Sequence, residues 1–283
     1  MTFQQDDGIR LQGDLFLPAG SPRGTLAVVP GLRGTRRSAT APALAERLTD
    51  ELGWAVLLFD FSGFGGSDGL RGRFDPEAQV ADVRSAVAFL RATHPEVPVS
   101  LYGNSFGSAM ATVAAAREMS VAALLALCAF SDGMSLMADQ RQRWQMVEFH
   151  ESLGRDRLDR VSDGRSRAVD PDWIMVRDPE ASAYIKKMGG AVDRTPMDVA
   201  TADRLASFRP LTEAPRLRGR PSLFVHCEHD HFIPAWHSGA LAEAACGRAL
   251  ILPGYGHYAI YEGEPREVLF RHAIDFYRMA VPT

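Results

Sequence analysis

Three side chains in this sequence have the types and settings that acyl-transfer chemistry demands. Ser105 stands in Gly103-Asn104-Ser105-Phe106-Gly107, directly after the apolar run Val97-Pro98-Val99-Ser100-Leu101-Tyr102 and before a stretch of helical composition. Strand, sharp turn and helix in that order expose the serine hydroxyl, and the flanking glycines are needed because side chains there would collide with the neighbouring strand and helix. The plainer alternative is a glycine-rich turn whose serine only caps the helix. A serine hydroxyl is a weak nucleophile at neutral pH, so it needs an adjacent base, and that base needs a carboxylate to fix its tautomer and stabilise its cation.

Both partners stand where a serine, acid, histidine chain order would put them, on loops after later strands. The strand-like Ser222-Leu223-Phe224-Val225-His226 leads into Cys227-Glu228-His229-Asp230, which makes Asp230 the candidate acid. Asp132, just after the apolar run 121–130, is the alternative carboxylate, and Glu228 a weaker one. The last strand-like run, 249–253, is followed by Gly254-Tyr255-Gly256-His257, which makes His257 the candidate base. His229 and His231 crowd the acid and, with His226 and Glu228, could be mistaken for a metal cluster. Adjacent residues at a strand end point in alternating directions, so no metal is expected. An acyl-transfer site also needs two backbone N–H groups for the oxyanion, one from the residue after the nucleophile and one from the loop after an early strand. Phe106 and Leu32, the latter in Pro30-Gly31-Leu32-Arg33-Gly34, are the expected donors.

These loops must be hung from a sheet. Short apolar runs at 14–18, 24–30, 54–60, 97–102, 121–130 and 221–226 look like strands buried on both faces. Helical spacing at 41–52, 76–92 and 105–119 supplies crossovers between parallel strands. The expected fold class is α/β, with a mostly parallel central sheet and helices on both faces. That rhythm stops at Ser131 and resumes near Arg220. The stretch between has helix-like pieces at 136–153 and 179–188 and no convincing strand, yet it carries Trp144, Phe149, Trp173 and Tyr184, which disordered segments usually lack. It reads as a helical cap, giving a core of residues 1–130 and 221–283 with an inserted lid at 131–220.

On these motifs the sequence resembles the α/β-hydrolase superfamily, matching P-G-L-R-G, D-F-S-G-F-G-G-S-D-G at 60–69, G-N-S-F-G, E-H-D-H-F-I-P and G-Y-G-H in the family's order across nearly the whole core. Residues 7–18 are similar to the N-terminal hairpin of dienelactone-hydrolase-like and acyl-peptidase-like members. The resemblance implies an acyl-enzyme, because relatives with dehalogenase or epoxide hydrolase chemistry carry an aspartate at the elbow. Two positions depart from the pattern: Pro30 replaces the usual histidine before the oxyanion glycine, and Cys227 the usual glycine after the acid-bearing strand. Neither removes a catalytic group. The fold alone does not assign a reaction.

Hydrolysis of a carboxylic ester or thioester is the expected reaction. Transfer of the acyl group to an alcohol or amine, and a non-catalytic binding protein on a hydrolase scaffold, stay open as alternatives. Trp144, Phe149, Trp173 and Tyr184, with Met146 and Met175, are candidates for an apolar substrate pocket, though such residues also pack a cap against its own core. Arg141, Arg143, Arg155, Arg157 and Arg160 could meet a carrier-bound thioester or form a solvated helix face. The net charge is −4 and no long single-sign run marks a nucleic-acid or membrane partner, so a small-molecule substrate is expected. No cofactor is implied. The three cysteines form no even disulfide set or C-x-x-C pair, the first ten residues lack the zones of a signal peptide, and no apolar run is long enough to span a bilayer. A cytoplasmic location is expected; oligomeric state is not legible.

Overall fold

The computed structural model describes residues 1–38, 40–188 and 195–282. In chain order the strands are β1 (Thr2–Gln4), β2 (Arg10–Phe16), β3 (Thr25–Val29), β4 (Ala55–Phe59), β5 (Val99–Asn104), β6 (Val121–Leu127), β7 (Ala168–Val169), β8 (Met197–Asp198), β9 (Ser222–Cys227) and β10 (Arg248–Leu252). All but β7 and β8 form one sheet in the order β1-β2-β4-β3-β5-β6-β9-β10. The β1–β2 and β2–β4 pairs are antiparallel, and every pair from β4 to β10 is parallel. The fold is thus the expected α/β-hydrolase architecture.

The central strands read as continuous apolar runs because both their faces are covered: every residue of β3 and of β4 is buried. On one face lie α1 (Ala41–Leu52) and, at the far end of the chain, residues 263–280, which form the last helix. Trp54 and Tyr277 meet there with ring centroids 5.3 Å apart, and the Tyr277 hydroxyl donates to Leu101 O at 2.7 Å. On the other face lie α2 (Pro76–Thr93) and α3 (Phe106–Arg117), whose apolar residues share a core with Phe59, Leu101 and Leu124.

The segment between β6 and β9 contains α4 (Gly133–Asp139), α5 (Arg143–Asp163), α6 (Pro171–Ile174), α7 (Pro179–Met188), α8 (Val199–Ser207) and α9 (Pro210–Glu213). Its residues 189–194 lie outside the described residues. The expected helix over 136–153 is two helices, because Gln142 starts α5 afresh by exchanging hydrogen bonds with Gln145. The expectation of no strand there is corrected by the short antiparallel pair β7–β8. The chain then closes with α10 (Trp236–Ala245) after β9 and α11 (Gly263–Ala280) after β10. Among the described residues no helix is long and apolar enough to cross a membrane.

One buried charge ties the front of the sheet together. Asp60, at the end of β4, is fully buried and accepts hydrogen bonds from Arg36 N at 2.7 Å, Gly66 N at 2.8 Å and the Arg36 guanidinium, which also reaches Asp14 at 2.9 Å. A Cβ on Gly65, held at φ +50°, would overlap this carboxylate, so the glycine-rich run is needed for close approach as well as for its turn. Arg36 lies two residues after Gly34, so Asp60 anchors the 30–34 loop beside Ser105. Asp60→Asn leaves a nearly buried arginine without its closest charge and is expected to lower unfolding free energy by about 2–3 kcal/mol in urea titration, below the full cost of breaking a buried pair because Asp14 remains.

Candidate active site

The elbow forms as its sequence requires. Ser105 joins β5 to α3 at φ +53°, ψ −122°, a conformation rarely populated by residues with a side chain. Its N–H donates to Leu127 O at 2.8 Å, and Ser108 N–H closes the turn onto Ser105 O at 2.8 Å. An added Cβ on Gly103 would run into Ser108 Cα, and one on Gly107 would overlap Pro30 O. Both glycines are therefore demanded by close approach, in line with the expected collision.

Ser105 Oγ lies 3.0 Å from His257 Nε2, and His257 Nδ1 lies 2.6 Å from Asp230 Oδ2. A carboxylate only accepts, so Nδ1 carries the proton and the Nε2 lone pair faces the serine hydroxyl, the tautomer a general base needs. All three residues are buried. Asp230 is held rigidly: its Oδ1 accepts from Phe232 N at 2.9 Å and Ile233 N at 2.7 Å. Burial alone would raise the Asp230 pKa, but His257 and His226 outweigh it and hold the carboxyl well below the ordinary carboxylate range. For His257 burial opposes the charged form, and Asp230, with Glu180 and Asp178, overcomes it and holds the imidazole above its ordinary value.

His226 is a member of this constellation that the sequence did not disclose. Its Nε2 faces two acceptors, Ile233 O at 2.7 Å and Asp230 Oδ2 at 3.3 Å, so it carries the proton, while Nδ1 lies 2.7 Å from Ser238 Oγ. It sits on β9 with its side chain fully buried, whereas His229 and His231 on the loop are exposed. The available signal was a histidine four residues before the acid inside an otherwise apolar strand. Cys128, His226 and Asp230 each bring one metal-ligand atom within 4.8 Å of one another, but the histidine and carboxylate atoms are already engaged in the bonds just described. Asp132 is placed elsewhere: its carboxylate accepts Ser135 N–H at 2.8 Å as the N-cap of α4 and lies 3.5 Å from Arg209.

A cavity of about 180 Å³ opens over Ser105 and His257. Gly31 and Leu32 line it, and a Cβ on Gly31 would sit 3.5 Å from Ser105 Cβ, so the 30–34 loop lies against the elbow. Leu32 and Arg33 are the central residues of a turn closed by Gly34 N–H on Gly31 O at 2.9 Å, which leaves Leu32 N–H out of that bond. Phe106 N–H, the first in α3, has no acceptor within the helix. Asn104 also lines the cavity, its Oδ1 accepting from the Tyr261 hydroxyl at 3.0 Å. Of the four aromatic residues expected around a substrate, only Tyr184 lines this cavity, together with Met175. Trp144 is exposed, while Phe149 and Trp173 pack at 5.4 Å and line a separate hollow with Arg141 and Arg155. Arg157 and Arg160 converge on Asp203 and Arg155 pairs with Glu151, so these cations have internal partners.

A buried serine, histidine and aspartate in hydrogen-bonded series at the carboxyl ends of a parallel sheet define an α/β-hydrolase. Residues 20–264 match the family described as serine aminopeptidase, S33, and the chain belongs to that family. It is 29% identical over 268 residues, 91% of this chain and 86% of the other, to the quorum-quenching protein AidA of Acinetobacter baumannii. It is 34% identical over 132 residues, 45% of this chain and 40% of the other, to the thiohydrolase aneE of Aspergillus aculeatus. The structure of DcsB in complex with its substrate analogue shares the fold at a TM-score of 0.83, with 22% identity and 99% of each chain covered.

The elevated His257 pKa sets a kinetic expectation. A general base works only when neutral, so, with His257 as the candidate base, reactivity of Ser105 is expected to fall as pH drops through a value above 6.5, the ordinary imidazole pKa. Asp230→Asn removes the charge that favours the imidazolium, so this acid limb is expected to move to lower pH. The same change offers an amide N–H to Nδ1, disfavours the working tautomer, and is expected to lower the maximal rate by about 10³- to 10⁴-fold. A pH profile of serine acylation checks both effects.

Proposed function

We propose that this α/β-hydrolase cleaves a carboxylic ester or thioester through an acyl-enzyme on Ser105. The observation that carries the reading is the unbroken series from Ser105 Oγ through His257 to Asp230, at 3.0 and 2.6 Å, facing a cavity. In the first step Ser105 Oγ bonds to the substrate carbonyl carbon while its proton passes to His257 Nε2. Negative charge gathers on the carbonyl oxygen, where Leu32 and Phe106 N–H groups stabilise it. The carbon–oxygen or carbon–sulfur bond then breaks, and His257 gives its proton to the departing alkoxide or thiolate. Water repeats the sequence against the acyl-enzyme, with His257 taking its proton, and frees the acid and Ser105.

The 131–220 segment is proposed as a cap that selects the acyl group. It supplies Met175, Ala181, Tyr184 and Ile185 to the cavity, opposite the core residues Leu32 and Phe232. A thioester substrate is supported by the thiohydrolase relative.

Incubation with a fluorophosphonate probe, followed by mass spectrometry of the adduct, tests the reading. Labelling is expected at Ser105 alone, absent in Ser105→Ala, at least about 10³-fold slower in His257→Ala, and impaired by Asp230→Asn far more than by Asp132→Asn. Folded protein that does not label would show that Ser105 is not an activated nucleophile. Labelling should be matched by turnover of p-nitrophenyl esters or acyl thioesters of graded chain length.

A further inference from the structure

Helix α7 presents one face to the loop that carries the candidate base. Glu180, Tyr184 and Lys187 are spaced at i, i+4 and i+7, so they lie along one side of the helix. Each meets residues 256–262. Glu180 Oε1 accepts from Tyr258 N at 2.9 Å and Ala259 N at 3.0 Å, so one carboxylate oxygen holds two consecutive backbone amides beside His257. The Tyr184 ring stacks on Tyr258 with centroids 4.6 Å apart and an interplanar angle of 25°. Lys187 pairs with Glu262 at the loop's far end. On the other side of His257, Gly256 leaves room for the Glu180 carboxylate: a Cβ there would overlap both of its oxygens and the carbon between them.

We propose that Glu180 is a positioning residue for His257, clamping the 256–259 backbone so that docking of α7 fixes the base in line with Ser105. The proposal rests on the reading of Ser105, His257 and Asp230 as the catalytic set. Nothing in that reading requires the base to be held from the 131–220 segment, since Asp230 already orients the ring. The backbone of the loop is a different matter, because it has to hold the ring in register with a serine on another element. The groups that face His257 are Asp230, backed by His226, from β9 and its loop; Asp178 and Glu180 from the α7 side; Tyr258 and Tyr261 from its own loop; and Ser105. Glu180 therefore acts in two separable ways, as an acceptor for two amides and as a negative charge near the imidazole.

Inactivation by a fluorophosphonate, resolved into kinact and KI across pH, separates these roles without a natural substrate. Glu180→Ala is expected to lower kinact roughly tenfold with KI within about twofold, the pattern of a disturbed reaction geometry rather than lost binding. Glu180→Gln keeps an oxygen for the two amides and is expected to retain most of kinact. In both variants the acid limb should move to lower pH, because a negative charge near the imidazole is gone. Gly256→Ala, which displaces the carboxylate, is expected to match Glu180→Ala in kinact, and the double variant should lose little more than either single one. The proposal is overturned if Glu180→Ala, with unchanged circular dichroism and melting temperature, keeps wild-type kinact and acid limb, if its effect is confined to KI, or if Gly256→Ala costs as much without Glu180 as with it. Failure of the wild-type protein to label at Ser105, or labelling of His257→Ala at the wild-type rate, would instead overturn the catalytic reading itself.

Discussion

A residue with a side chain held at φ +53°, ψ −122° is worth of order 1–3 kcal/mol of strain, and Ser105 would relax out of it if its surroundings allowed. They do not, because the turn is fixed at both ends by elements that cannot move independently. On one side β5 lies between β3 and β6 in a parallel register. On the other, Ser108 Oγ donates to Leu127 O at 2.7 Å, so the first turn of α3 is bonded to the end of β6, the same carbonyl that receives Ser105 N–H. The absent side chains at Gly103 and Gly107 let strand, helix and the Pro30 carbonyl close on the turn. Everything else about the site is arranged around where this constraint puts one oxygen atom.

The second requirement is a carboxylate kept charged while almost wholly out of water. Desolvation opposes that state, and Asp230 meets it with two backbone N–H donors on one oxygen and His257 and His226 on the other. Removing any one of these would leave part of the burial penalty uncompensated. Asp60 solves a similar problem with Arg36 and Gly66 N, and it braces the 30–34 loop rather than a histidine. Two buried carboxylates, each met by local donors, thus brace two loops that line the cavity over Ser105.

These solutions differ in how far the sequence discloses them. The positions of Ser105, Asp230 and His257, the candidate nucleophile, acid and base, were legible because each is a local pattern: a strand that ends, a glycine that turns, a residue at the turn. The sheet was legible for the same reason, since buried parallel strands are unbroken apolar runs. His226 was not, because on a strand the face a side chain takes depends on register, and that is fixed by neighbours far along the chain. Which of the cap aromatics face the cavity was not legible, because composition says that Trp144, Phe149 and Trp173 want company but not which hollow they enter; the 131–220 helices turn two of them to each other and one to solvent. Contacts such as Glu180 to Tyr258 join residues 78 positions apart and leave no local trace at all.

The same helix that lines the cavity with Ala181, Tyr184 and Ile185 also lies on the loop behind His257. This arrangement separates the residues that shape the cavity from those that meet the 256–262 loop. A substitution on the cavity side of α7 changes the lining over Ser105, while one on the 180, 184 and 187 face changes how the helix meets the 256–262 loop. Residues one position apart on a helix point about 100° away from each other, so Glu180 and Ala181 can serve the two tasks separately. Tyr184 belongs to both faces, stacking on Tyr258 and lining the cavity, and is where a change in pocket shape reaches the base loop directly.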